Sequence, residues 1–332
     1  MDSKTWLKER VFRHQDFENL SKLLALKKEQ NLSISVGLPT FNVERTLPNI
    51  LRVIKKSLTE EYPLVDEIAI IDGYSQDKTV DLAKEIGVGV YRENEILPNA
   101  SPAKGKGEAL WKSLYALKGD IIVWVDSDIE NFHPRFVYGL LGPLLANEKV
   151  SYVKGFYERP IKFEGRLMST GGGRVTEILA RPLLNLFYPE LSVFIQPCSG
   201  EYAGRREILE KVPFYTNYGV EIGLLIEILK KFGLETMAQA DLARRVHYNQ
   251  STEALGKMSF AILEAMFKLL EEEKRVKFAS ELSSVFRKVR RKNGNYFLDE
   301  SEIEVVRRPP ITEMGEYRQM ITRRKYEGAA AS

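Results

Sequence analysis

Asp126-Ser127-Asp128 closes an apolar run, Ile121-Ile122-Val123-Trp124-Val125. Two carboxylates two residues apart in an extended chain share one face, about 6.6 Å from each other, so both can address one ligand where a buried strand ends. Hard oxygen donors of this kind suit Mg²⁺ or Mn²⁺, which keep water and phosphate oxygens in their remaining positions. Asp and Ser also cap helices and make turns, so the tripeptide by itself leaves both readings open. The chain has 3 histidines, His14, His133 and His247, and 1 cysteine, Cys198. A metal must therefore lean on carboxylates, and no intramolecular disulfide can form, which favours a reducing compartment. Gly105-Lys106-Gly107 sets an ammonium between residues that let backbone approach a phosphate. It has neither the Walker A spacing nor its Ser/Thr, and no G-x-G-x-x-G follows the first strand, which weakens kinase-like and dinucleotide-binding readings.

Short β-branched runs alternate with longer helical patterns, which predicts an α/β fold with a mostly parallel sheet flanked by helices. Strands are expected at 32–38, stopped by Pro39, and at 65–72, 88–92, 121–125 and 150–158. Helices are expected at 44–58, with Leu47, Ile50, Leu51, Ile54 and Leu58 on one face, and at 77–87, 107–117, 222–232 and 253–272. A further helical stretch should follow the glycine-rich turn Thr170–Thr176 and run to about Phe187. Polar loops follow the first, second and central strands: Pro39–Glu44, Ile71–Thr79 and Asp126–Asp128. In a parallel sheet all three fall on the carboxyl edge, where ligands bind.

Composition limits the function classes. The 332 residues carry 49 Lys+Arg against 46 Asp+Glu, a net charge of +3, with 44% hydrophobic and 29% charged residues. These values describe a globular protein rather than a disordered or membrane-embedded one. The densest basic cluster, Lys288–Lys292, reads as a solvated helix face rather than a nucleic-acid stripe. No apolar run approaches the roughly 20 residues that span a bilayer, and Met1–Gln30 lacks the apolar core of a signal peptide. The expectation is a soluble, cytoplasmic protein with neither a nucleic-acid nor a membrane partner.

The three polar loops resemble the nucleotide-sugar-binding half of GT-A glycosyltransferases. The resemblance narrows through Gly105–Leu114, Gly173–Glu177, Ala180–Leu184, Gln196–Gly204 and Tyr218–Leu225. In order and separation these motifs are similar to those of the glucosyl-3-phosphoglycerate and mannosyl-3-phosphoglycerate synthase group, family GT81, over about residues 33–250. The resemblance implies a GT-A fold with an N-terminal helical extension (1–31), a nucleotide-sugar half (32–130), an acceptor half (131–273) and a helical C-terminal extension (274–332) that contacts a second copy in a homodimer.

Residue roles follow from the same resemblance. It implies Mg²⁺ or Mn²⁺ on Asp128 and His247, with Asp126 on the donor ribose beside Ser127. Pro39, Phe41, Glu44, Asp72, Ser75 and Lys106 become base, ribose and phosphate contacts. Gly173, Arg174, Val175 and Thr176 become an anion cradle for the acceptor, helped by Asn249, and backbone N–H groups at a helix start suit such a role. Glu221 is the carboxylate placed nearest the reacting sugar, with Asp128 as its catalytic companion. A loop lysine, a flexible glycine hinge and a helix-start glutamate are the plainer readings of Lys106, the glycine run and Glu221. The implied reaction moves glucose from UDP-glucose to the 2-hydroxyl of 3-phosphoglycerate with retention, in a compatible-solute or polysaccharide-precursor pathway. GDP-mannose as donor, free glycerate as acceptor and a non-catalytic sugar-nucleotide-binding scaffold are the alternatives. Double displacement and front-face attack both remain open.

Overall fold

The computed structural model describes residues 1–163, 166–168, 173–246 and 250–331. One 8-stranded sheet forms its centre. In chain order its strands are β1 (Val11–Arg13), β2 (Ile34–Thr40), β3 (Glu67–Asp72), β4 (Gly89–Arg92), β5 (Ile121–Trp124), β6 (Tyr152–Glu158), β7 (Tyr202–Arg205) and β8 (Met237–Arg244). Their order across the sheet is β1-β8-β6-β7-β5-β2-β3-β4. β7 runs antiparallel to both of its neighbours, and every other pairing is parallel. β5 is buried along its whole length, as a strand apolar on both pleat faces must be.

Helices cover both faces. Leu23, Leu47, Ile50, Leu51, Val80 and Phe136 pack on one side, and Leu110, Trp111, Leu184, Leu224 and Leu269 on the other. Among the described residues no helix is long and apolar enough to cross a membrane.

Several elements differ from the sequence expectation, each for a physical reason. β2 runs through Pro39 to Thr40. Its pairing with β5 ends at Gly37, so the missing N–H of Pro39 faces no strand there, and its carbonyl accepts from Ser127 Oγ at 2.7 Å instead. The helix expected from residue 44 starts at Leu47, because Glu44 is bonded to the neighbouring loop through its amide and its carboxylate.

β8 is paired on both sides over Gln239–Asp241, where the N-terminal β1 closes that edge of the sheet, and at Arg244 it pairs with β6. Residues 288–292, expected as a helix face, belong to a strand, Val285–Lys292, that pairs with Asn295–Glu302. Val285, Val289 and cross-strand pairs such as Arg287 Nε to Glu300 Oε1 at 2.6 Å favour the hairpin there. The C-terminal extension therefore holds a hairpin as well as its helix, Gly315–Ala331.

The helix Lys106–Ala116 lies on Tyr215 so closely that a Cβ on Gly107 would fall inside the Tyr215 carbonyl oxygen. Gly107→Ala must push this helix off its seat. It is expected to destabilise the fold by about 2–3 kcal/mol, read as a lower urea midpoint at unchanged m-value.

Candidate active site

The carboxyl ends of β2, β3 and β5 deliver the three polar loops to one rim. Asn42 N donates to Ser75 Oγ at 2.9 Å and Gln76 N to Asn42 Oδ1 at 2.7 Å, which knits the first loop to the second. Thr46 Oγ1 donates to Ser127 O at 2.5 Å and fixes the third loop. Glu130 N donates to Val246 O at 2.9 Å, and Val246 N donates to Asn131 Oδ1 at 2.7 Å. The chain leaving β8 is thereby held beside the Asp126–Asp128 turn.

Two cations, Arg245 buried and Lys106 partly buried, organise the acids that meet at this rim. Lys106 Nζ sits 2.5 Å from Asp126 Oδ1 and 2.8 Å from Glu221 Oε1. Arg245, 3% exposed, directs Nη2 to Asp128 Oδ1 at 2.6 Å and Asp126 Oδ2 at 3.1 Å. Its Nη1 reaches Glu201 Oε1 at 3.1 Å and the Tyr157 hydroxyl at 2.7 Å, and that hydroxyl donates to Glu201 Oε2 at 2.5 Å. Burial works against ionising Asp126, yet Lys106 and Arg245 outweigh it and hold the carboxyl well below the usual range. Burial likewise opposes the Lys106 ammonium, and Asp126 and Glu221 hold it charged far above its ordinary value. At Glu201, burial wins over Arg245 and pushes the carboxyl up. A Cβ on Gly200 would collide with the Asp126 carboxylate, so only glycine leaves room for that side chain.

These groups open onto a cavity of about 980 Å³, large enough for a nucleotide sugar and a small acid together. Of the residues expected to act, Pro39, Phe41, Lys106, Asp126, Ser127, Asp128, Gly173, Arg174, Val175, Thr176 and Glu221 line it. Phe41, 62% exposed, offers a ring at the mouth. Glu44, Asp72 and Ser75 do not line it.

Asp72 is fully buried. It accepts from Tyr74 N, Ser75 N, Ser75 Oγ, Thr40 Oγ1 and Arg92, which hold the loop. Gly173 adopts φ +80°, and Arg174 Nη2 donates to Gln250 O at 3.0 Å. His247 and Asn249 lie outside the described residues. Arg245, Glu201 and Tyr157 were not found by sequence reasoning. Arg245 stands beside Arg244 in a polar stretch, and nothing local separates the buried arginine from the exposed one.

Among the described residues no group of three or more His, Cys, Asp or Glu is arranged to hold a metal ion. Asp128 nevertheless fits a hard divalent cation. Its side chain is 44% exposed, and only Oδ1 is engaged by a described residue, which leaves the other oxygen facing the cavity.

The family model "Glycosyl transferase family 2" matches residues 35–212. A glucosyl-3-phosphoglycerate synthase from Petrotoga mobilis is 51% identical over 314 residues, 95% of this chain and 97% of that protein. This chain belongs to the glucosyl-3-phosphoglycerate synthase family of glycosyl transferases. Solved structures of the family are similar throughout. The mannosyl-3-phosphoglycerate synthase from Rubrobacter xylanophilus has a TM-score of 0.85 at 38% identity, covering 94% of this chain and 98% of that one. The glucosyl-3-phosphoglycerate synthase from Mycobacterium tuberculosis in complex with Mn²⁺, UDP-glucose and phosphoglyceric acid has a TM-score of 0.77 at 38% identity, covering 92% and 98%. The GT-A fold expected from the loops is thus the fold of the family.

Glu93 lines the cavity beside Gly73 and Tyr74. Burial, reinforced by the Glu108 carboxylate, pushes its carboxyl from 4.5 up to about 7. A carboxyl raised on folding binds more protons in the native state between these two values. Its contribution is complete below about pH 4.5 and is lost as the pH rises to about 7. Glu93→Gln, which cannot ionise, is expected to be more stable than wild type at about pH 8 by roughly 1–3 kcal/mol. The difference should vanish near pH 4 when thermal unfolding is followed at both pH values.

Proposed function

We propose that this chain is a retaining hexosyltransferase that moves glucose from UDP-glucose to the 2-hydroxyl of 3-phospho-D-glycerate. The observation that carries the reading is one cavity lined by two differently equipped sets of residues. Lys106, Asp126 and Asp128 form one set, Gly173–Thr176 with Arg174 the other, and Glu221 lines the same space. The bound UDP-glucose and phosphoglyceric acid of the Mycobacterium tuberculosis enzyme support the same reading. Residues 32–130 would form the donor half and residues 131–273 the acceptor half, with residues 274–332 contacting a second copy in a cytoplasmic homodimer.

Phe41 offers its exposed ring as a stacking surface for the base. Asp126, fixed by two cations, presents its remaining lone pairs to the ribose. Lys106 already stands between Asp126 and Glu221 and can transfer part of its charge-assisted bonding to an arriving diphosphate. Asp128 and His247 would hold Mg²⁺ or Mn²⁺, which, when bound, neutralises charge on the departing diphosphate; family structures contain either ion with UDP.

Arg174 and the amides that follow Gly173 supply donors for the acceptor's anionic groups, helped by Asn249. In the transfer, the bond from the anomeric carbon to the diphosphate oxygen breaks. The bond to the acceptor hydroxyl oxygen forms on the same face, and the hydroxyl proton passes to the departing phosphate oxygen. On this front-face course Glu221 forms no covalent bond to the sugar. Glu221 is then left to bind sugar hydroxyls and offset positive charge at the anomeric carbon.

A second reading, GDP-mannose as donor with the same acceptor, draws on the mannosyl-3-phosphoglycerate synthase likeness. Incubation with UDP-glucose or GDP-mannose, Mg²⁺, and 3-phosphoglycerate or glycerate separates these readings by product mass and released nucleotide. Glucosyl-3-phosphoglycerate is expected, and turnover with no pairing would rule out the enzyme. Asp128→Ala is expected to lower kcat more than about 100-fold with the fold intact. Arg174→Ala should raise the acceptor KM about tenfold or more with kcat little changed, and an unchanged acceptor KM would remove Arg174 from the acceptor site.

A further inference from the structure

Lys154 lies in the middle of β6 and is 1% exposed. Its Nζ makes no hydrogen bond to any described residue and sits 4.0 Å from the centroid of the Tyr202 ring. Tyr202 and Gln239 occupy the register positions beside it on β7 and β8. The hydroxyls of Tyr152 and Tyr202 are also buried without a described partner. Charges reach it from Glu221 on the helix Val220–Phe232, Lys106 on the helix Lys106–Ala116, Glu201 and the Cys198 thiol. Burial is the largest influence and lowers its ammonium to about 7. Glu221 and Cys198 line the cavity while Lys154 does not, so the lysine stands behind the cavity wall.

An ammonium in a core strand with a ring face but no described hydrogen-bond partner costs stability that an apolar side chain of the same length would not. A buried amine left without a hydrogen bond calls for a reason. Glu221 is 5% exposed, and among the described residues its ion-pair partner is Lys106. The donor diphosphate competes for that same ammonium. Once Lys106 turns toward phosphate, Glu221 is left as a buried charge with its partner shared.

We propose that Lys154 is a positioning residue: behind the cavity wall, its ammonium supplies the counter-charge to Glu221 when the donor diphosphate draws Lys106 away. The role rests on the transfer reaction proposed above. Without Lys154, Glu221 would grip Lys106 more firmly, and the diphosphate would bind less well.

The test compares the full-length wild type with Lys154→Met, Lys154→Gln, Glu221→Gln and the Lys154→Met/Glu221→Gln double variant. Melting temperature, UDP affinity by calorimetry with Mg²⁺, and kcat with UDP-glucose and 3-phosphoglycerate are measured. Lys154→Met should keep or raise the melting temperature while UDP affinity and kcat each fall about tenfold. In the Glu221→Gln background the same change should alter UDP affinity less than about threefold, because no carboxylate remains to be offset. Wild-type UDP affinity and kcat in folded Lys154→Met, or an equal loss of UDP affinity in the Glu221→Gln background, would overturn the proposal. So would failure of both Lys154→Met and Lys154→Gln to fold, since the lysine would then be structural. A wild type without turnover would sink the transfer reading and this role with it; an active wild type matched by Lys154→Met sinks only the role.

Discussion

Asp126, Asp128, Glu201 and Glu221 converge at the carboxyl end of the sheet, and anions this close in a buried place repel one another and favour protonation. Arg245 and Lys106 lift that constraint. The planar guanidinium serves Asp126 and Asp128 through one nitrogen and Glu201 and Tyr157 through the other. The ammonium, a point charge, bridges Asp126 and Glu221. Much of the surrounding architecture delivers these two cations. β8 carries the chain to Arg245 between β1 and β6, Gly107 lets the Lys106 helix seat against Tyr215, and Gly200 leaves room for the Asp126 carboxylate.

This balance explains how a chain of net charge +3 can be equipped for small anionic ligands without a basic surface. The positive groups are neutralised internally, and under the proposed function ligand oxygens would compete for them. Exchange of one anionic partner for another keeps each buried cation paired throughout, which avoids the large cost of an isolated buried charge. Arg174 is engaged differently, since its guanidinium donates to a backbone carbonyl, Gln250 O, rather than to a carboxylate.

Side chains that the family resemblance marked as ligand contacts divide into two groups. Pro39, Phe41, Lys106, Asp126 and Ser127 face the cavity. Glu44, Asp72 and Ser75 are engaged in hydrogen bonds within and between the loops. Both groups lie in the same polar loops, and a motif cannot separate them, because a carboxylate that binds backbone amides and one that binds a ribose are the same residue type in the same short stretch. The hairpin at 285–302 was hidden for a related reason. Its basic strand reads equally as a helix face until cross-strand acids such as Glu300 and Asp299 are brought opposite it.

The amino-acid sequence alone determined the α/β alternation, the three polar loops on one sheet edge, the Asp-x-Asp turn and the motifs that mark the family. All of these are local patterns of hydrophobic period, turn residues and short spacings, which act before any long-range contact forms. Only the tertiary structure decided that Arg245 and Glu201 belong to the site, that Lys106 is shared between two acids, and that Lys154 lies behind them with no described hydrogen-bond partner. Those facts depend on residues 20 to 119 positions apart meeting in a water-poor space. There, charge pairing is strong and nonlocal, and it leaves no trace in neighbouring sequence.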